Sequence, residues 1–181
     1  MSEVKVLLLR GVNVAGANRL PMPEFRQMLM ELGLSNVRTH LQSGNAVFVD
    51  PGVPDVAAKI TFAMKDRFGF APPMLILSLA EFDAIVAANP FQQQGAIDGT
   101  KVHVMFLAAP VAAADLSRLA VHATGGEVVK QSDAALYLLA TDGIGRSVLA
   151  DKLERGLAVM KTARNFNSVM AISALARTIA A

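Results

Sequence analysis

The feature that most constrains this chain is the order in which its apolar spacing changes period. Val4–Leu9 is an apolar run with β-branched residues, read as a buried strand ending at Arg10-Gly11. Pro21-Met22-Pro23 then opens a helical pattern in Phe25, Met28, Leu29 and Leu32, which Gly33 stops. Asn36–Leu41 and Asn45–Val49 read as two strands joined through Gln42-Ser43-Gly44, a hairpin with a glycine turn. After the breaker Asp50-Pro51-Gly52, the residues Val56, Ile60, Ala63, Met64 and Phe68 return to helical spacing, and Met74–Leu77 is a further strand. The order β-α-β-β-α-β is the split βαβ, ferredoxin-like pattern.

The second half repeats that order. Leu79–Ala88 reads as a linking helix ended by Asn89-Pro90, and 92–99 as a polar loop. Val102–Leu107 is a strand, Val111–Val121 a helix, and Glu127–Lys130 with Ala134–Ala140 a second strand pair. A glycine loop, Asp142–Arg146, leads to a short helix at Ser147–Arg155, a short strand at Ala158–Lys161 and a last helix at Asn167–Ile179. The expectation is an α+β protein of two ferredoxin-like (βαββαβ) subdomains with an extra C-terminal helix. Residues 1–78 form the first, 79–100 a linking helix and loop, and 101–181 the second with the terminal helix.

Composition narrows the function classes. The chain of 181 residues has no cysteine, which removes disulfides, thiolate nucleophiles and Cys-ligated zinc together. No apolar run approaches the ~20 residues a bilayer span needs. The start MSEVKVLLLRG lacks the pattern of a signal peptide, so a cytoplasmic protein without membrane partners is expected. His40, His103 and His122 show no metal-ligand spacing, so no metal is indicated, and nothing points to a cofactor. Ser43 lacks the G-x-S-x-G context of a hydrolase, and no pattern names a nucleophile or a general base. The net charge is only +2 and tryptophan is absent; Phe48, Phe106 and Tyr137 stand alone on their strands. Sheets that stack nucleic-acid bases display more aromatics than that.

What remains are polar loops at element ends. The stretch Gly11–Arg19 follows the first strand, with Arg10, Asn13, Asn18 and Arg19 clustered where α/β sites often form. Glycine loops there can aim backbone N–H groups at a phosphate, although the Walker and G-x-G-x-x-G patterns are both missing. The structural reading is a long turn whose glycines supply φ > 0 and whose asparagines bond locally. The turn residues Gln42, Ser43 and Asn45 offer amide donors and acceptors, but turn chemistry alone also selects them. Gly143–Ser147 places Arg146 beside Ser147, a plausible N-cap, at a helix start that suits either an anion or a plain capped loop. Arg164, Asn165 and Asn167 precede the last helix, which Asn167 or Ser168 can cap. A positive charge at a helix start opposes the macrodipole, so an anionic partner is expected for Arg164, a ligand or a carboxylate of the fold.

The stretch Arg10-Gly11-Val12-Asn13-Val14-Ala15-Gly16-Ala17-Asn18-Arg19-Leu20-Pro21-Met22, with Leu41-Gln42-Ser43-Gly44-Asn45 and Arg164-Asn165-Phe166, resembles DUF1697, a family of unknown function. The resemblance runs from residue 4 to about 176. It implies two ferredoxin-like subdomains and no activity. Two departures stand out: Val148 and Ala171 occupy positions where members commonly carry lysine.

Two functions are therefore carried forward. The first is binding of an anionic small molecule or nucleotide where the Arg10–Arg19 loop, the Gln42–Asn45 turn and Arg164–Asn167 are expected to converge. The second is a nucleic-acid or protein interaction module. It would use the basic stretch 143–181, where Arg146, Lys152, Arg155, Lys161, Arg164 and Arg177 face only Asp151 and Glu154. Near-neutral charge and scarce aromatics speak against nucleic acid.

Overall fold

The computed structural model describes residues 2–14 and 16–180. Ala15, within the first glycine loop, lies outside the described residues. The elements run β1 (Glu3–Leu9), α1 (Met22–Glu31), β2 (Ser35–His40), β3 (Asn45–Asp50), α2 (Val56–Phe68), β4 (Met74–Ser78), α3 (Leu79–Ala87) and α4 (Gln92–Ile97). They continue β5 (Val102–Leu107), α5 (Ala113–Ala120), β6 (Val128–Gln131), β7 (Ala135–Leu139), α6 (Val148–Gly156), β8 (Lys161–Asn165) and α7 (Phe166–Ala180). Two four-stranded sheets result, ordered β2-β3-β1-β4 and β6-β7-β5-β8, with every adjacent pair antiparallel. This is the ferredoxin-like arrangement made twice, with α7 added.

The chain divides into two compact units, one running to Asp83 and resuming at Ala171, the other spanning Ala84–Met170. In the first, one sheet face presents Leu7, Leu9, Ala46 and Phe48 to Phe25, Met28 and Leu29 of α1 and Ile60 and Met64 of α2. Residues of opposite parity, Val6, Leu8 and Val47, are no more than 1% exposed, so the second face is covered too. That is why Val6–Leu9 of β1 reads as an unbroken apolar run instead of alternating. Asp83 pairs with Arg177 at 3.1 Å and accepts from the Ser173 hydroxyl at 3.4 Å, fastening α3 to the end of α7 within this unit.

The second unit follows the same plan. Met105, Leu107, Leu136 and Leu138 pack on Leu116 and Leu119 of α5 and Leu149 and Leu153 of α6. Gly156 sits where a Cβ would come within 2.8 Å of Leu119, so glycine sets how closely α5 and α6 approach. On the other face, buried Tyr137 donates its hydroxyl proton to the Ile85 carbonyl at 2.8 Å.

Two stretches depart from the sequence expectation. Residues 92–97, expected as loop, form α4; a Cβ on Gly95 would stand 2.5 Å from the Phe166 ring, so glycine there admits the ring instead of ending the helix. The strand expected at 158–161 lies at Lys161–Asn165, and α7 begins at Phe166. Asn165, not Asn167 or Ser168, caps α7: its Oδ1 accepts the Ser168 N–H at 2.9 Å.

Candidate functional site

The candidate residues fall into the two units. Arg10, Asn13, Asn18, Arg19, Gln42, Ser43 and Asn45 belong to the first; Arg146, Ser147, Arg164, Asn165 and Asn167 belong to the second.

In the first unit the loop after β1 and the β2–β3 turn meet at one end of the sheet. The Leu9 N–H donates to the Gly44 carbonyl and the Arg10 N–H to the Pro73 carbonyl, both at 2.9 Å. Asn13 joins the two segments. Its Nδ2 donates to the carbonyls of Leu20 at 3.0 Å and Gln42 at 2.7 Å, while its Oδ1 accepts the Leu20 N–H at 2.8 Å. Asn18 closes the loop on itself, donating to the Gly11 carbonyl at 3.0 Å. Asn45, 1% exposed, donates to the His40 carbonyl and to the Ser43 hydroxyl, both at 2.9 Å. The three asparagine amides are thus committed to holding the loops.

That holding imposes an unusual backbone. Asn13, Asn18 and Leu41 have φ of 53°, 49° and 57°, beside Gly16 at 80° and Gly44 at 73°. Asparagine tolerates this region and leucine does so at a cost. A Cβ on Gly44 would fall 2.6 Å from Val12 Cγ2 and 2.7 Å from Leu9 Cβ. Around this frame stand Val14 and Leu41, 60% and 59% exposed. Arg19 and Gln42 are exposed as well, and Arg19 makes no hydrogen bond or ion pair among the described residues. No acidic residue occurs between Glu3 and Glu24, nor between Glu31 and Asp50. The local charge is therefore positive.

In the second unit Arg146 ends a short 3₁₀ turn, Ile144–Arg146, and Ser147 caps α6 by accepting the Ala150 N–H at 2.9 Å. Sequence reasoning missed Glu127, which the Ser147 hydroxyl reaches. That bond, with the N–H groups of Thr124 at 2.9 Å and Gly125 at 3.4 Å, holds the Glu127 carboxyl below its ordinary range. No spacing rule could have found a partner twenty positions upstream.

Arg164 is not at a helix start but inside β8, opposite Val104 and only 8% exposed. Its Nη1 donates to the Thr162 hydroxyl and to the Ala163 carbonyl, both at 2.8 Å. Burial pulls its guanidinium down to about 10. Asn165 is spent on the α7 cap, and exposed Asn167 lies against Gly99, where a Cβ would come within 2.0 Å of its Oδ1. Lys161, 1% exposed, donates to the Leu157 carbonyl at 2.8 Å. Arg155 is paired to Asp151 and Arg177 to Asp83, so those two cations of the basic stretch 143–181 already have carboxylate partners.

His103, 7% exposed on β5, has no partner for its Nδ1, and burial lowers its pKa from the ordinary value. Among the described residues no group of three His, Cys, Asp or Glu is placed to hold a metal, and no helix is long and apolar enough to cross a membrane.

Comparison with known proteins adds the fold and family. The DUF1697 family, described as a protein of unknown function, matches residues 2–137. The match takes in every candidate of the first unit and stops before Arg146. The solved structure of a conserved bacterial protein from Streptococcus pneumoniae shares the fold with a TM-score of 0.77 at 21% identity, covering 97% of this chain and 99% of that one. No curated protein matches.

Proposed function

We propose that this chain, which belongs to the DUF1697 family, binds a small anionic molecule, a nucleotide or another phosphorylated compound, at the loop end of its first unit. The observation that carries this reading is a comparison within the molecule. The crossing from β1 to α1 takes residues 10–21, whereas the equivalent crossing from β5 to α5 takes only residues 108–112. The flanking backbone bonds are the same: Leu107 and Ala108 donate to Ala134 and Met160 as Leu9 and Arg10 donate to Gly44 and Pro73, all at 2.9 Å. The fold thus closes without the long loop, and Ala108 stands where the first unit has Arg10.

A segment the fold does not need, fixed in left-handed backbone at Asn13, Gly16 and Asn18 and free of acidic residues, is what a binding loop requires. Arg19 supplies the fork geometry that matches a phosphate or carboxylate. The backbone N–H groups of the glycine turns add uncharged donors.

The test is titration of adenine nucleotides and inorganic phosphate into the wild type and an Arg19→Ala variant, read by calorimetry and by thermal shift. At ~100 times its dissociation constant a ligand stabilises by about 2.7 kcal/mol, a rise of roughly 5–10 °C for a chain of this size. Arg19→Ala is expected to weaken binding about tenfold or more, and the wild-type affinity to fall with salt. An affinity equal in both proteins, or no binding by the wild type at low salt, rejects the site.

A further inference from the structure

We infer that the second unit carries a separate site, for a small zwitterion bearing an ammonium and a carboxylate. It lies between the 124–127 loop and the start of α6, where a cleft of about 170 Å³ is lined by Glu127, Asp142, Arg146 and Ser147. That volume is below the roughly 300–1,000 Å³ of drug-sized sites and fits a molecule of few atoms.

The walls are built rather than incidental. Glu127 bonds Ser147 and the Thr124 and Gly125 N–H groups, and the Thr141 hydroxyl donates to the Gly125 carbonyl at 2.7 Å, so loop and helix start are fastened together. Ser147 gives its proton to Glu127 and its lone pair to Ala150. Both residues are therefore committed to shaping the cleft.

The two charges left over are Asp142 and Arg146. They stand four residues apart and line the same cleft, yet make no ion pair with each other or with any described residue. Opposite charges that could have paired instead flank a space, held by the turn in which Gly143 accepts the Arg146 N–H at 3.2 Å. A ligand positive at one end and negative at the other completes both: its ammonium at Asp142, with Glu127 adding to the field, and its carboxylate on the Arg146 fork. A lone anion would meet two carboxylates and a lone metal cation would meet Arg146, so each single-charge ligand suits the cleft less well. Gly125 leaves the room, since a Cβ there would come within 3.1 Å of Asp142 Oδ2.

The experiment is a two-dimensional amide NMR titration of the intact chain with the free α-amino acids, each alongside its amine-only and acid-only analogue, such as alanine against ethylamine and propionate. The Thr124 and Gly125 amides report on the cleft. At least one amino acid is expected to shift them saturably, with both analogues at least tenfold weaker. Asp142→Asn and Arg146→Gln, which remove no bond of the fold, are each expected to weaken it tenfold or more, and Arg19→Ala to leave it unchanged. No saturable shift with any amino acid, an acid-only analogue that binds as well, or affinity that survives both charge-removing variants overturns the proposal. None of these outcomes bears on the nucleotide reading, which Arg19→Ala tests.

Discussion

The two ferredoxin-like units use one topology and put their polar loops at opposite ends of it. In the first unit the long loop follows β1, next to the β2–β3 turn and the start of β4, as the Leu9–Gly44 and Arg10–Pro73 bonds show. In the second, the place after β5 is occupied by the short apolar stretch 108–112, and the charged cleft follows β7, at the end where β5 begins (Val102 opposite Leu139). The hydrophobic layers follow one plan: a leucine-rich sheet face, completed by Phe48 in the first unit and Met105 in the second, against two helices in each. Packing therefore fixes where strands and helices go but leaves the loop ends open, and it is there that the two units differ.

The sharpest test of that contrast is at the paired hairpin turns. Gly44→Ala forces a Cβ into Val12 and Leu9 at a φ of 73° and is expected to cost about 3 kcal/mol. Its counterpart, Ala134→Gly, should cost below ~1 kcal/mol. Equal losses in thermal melts would mean the long loop does not press on the turn. Asn13→Ala removes three hydrogen bonds that have no equivalent in the second unit. A loss of about 2 kcal/mol is expected, with faster amide exchange confined to residues 10–20 and 41–44. Exchange that rises evenly through the unit would contradict a local staple.

The smallest effect belongs to the second unit alone. The pKa of His103 is lowered in the folded chain by burial, so between its folded and unfolded values the unfolded chain binds more protons. The stability it contributes is complete above about pH 6.5 and is lost as pH falls towards the folded value, by at most ~1.4 kcal/mol per pH unit. Denaturant midpoints of wild type and His103→Leu should diverge below that pH; parallel curves would assign the acid sensitivity to another group.

Much of this architecture was legible because apolar spacing is local. The run Val4–Leu9, the helical stripe Phe25-Met28-Leu29 and the Gln42–Gly44 turn carry their structure within a few residues. β8 was displaced for the opposite reason. Lys-Thr-Ala-Arg-Asn has no apolar alternation, and buried Lys161 and Arg164 give protons to carbonyls and a hydroxyl that no local spacing announces. Likewise Gly95 signalled a loop, whereas its missing side chain answers to Phe166, some seventy positions away. Of the candidate residues, the spacing placed the Arg10–Arg19 loop and the Gln42–Asn45 turn at the ends of neighbouring strands. It could not show that Asn13 ties one to the other, nor that Glu127 reaches Ser147, because both are contacts between distant segments.

The fastening of Asp83 to Ser173 and Arg177 has a consequence in time. Asp83 emerges from the ribosome 90 positions ahead of Ser173, and the segment that resumes the first unit at Ala171 follows the whole of Ala84–Met170. The unit whose synthesis starts first is thus the one completed last. Its sheet and the Asn13-tied loops can assemble early, but until α7 arrives Asp83 stays unpaired, while the unit made second already has every residue it needs.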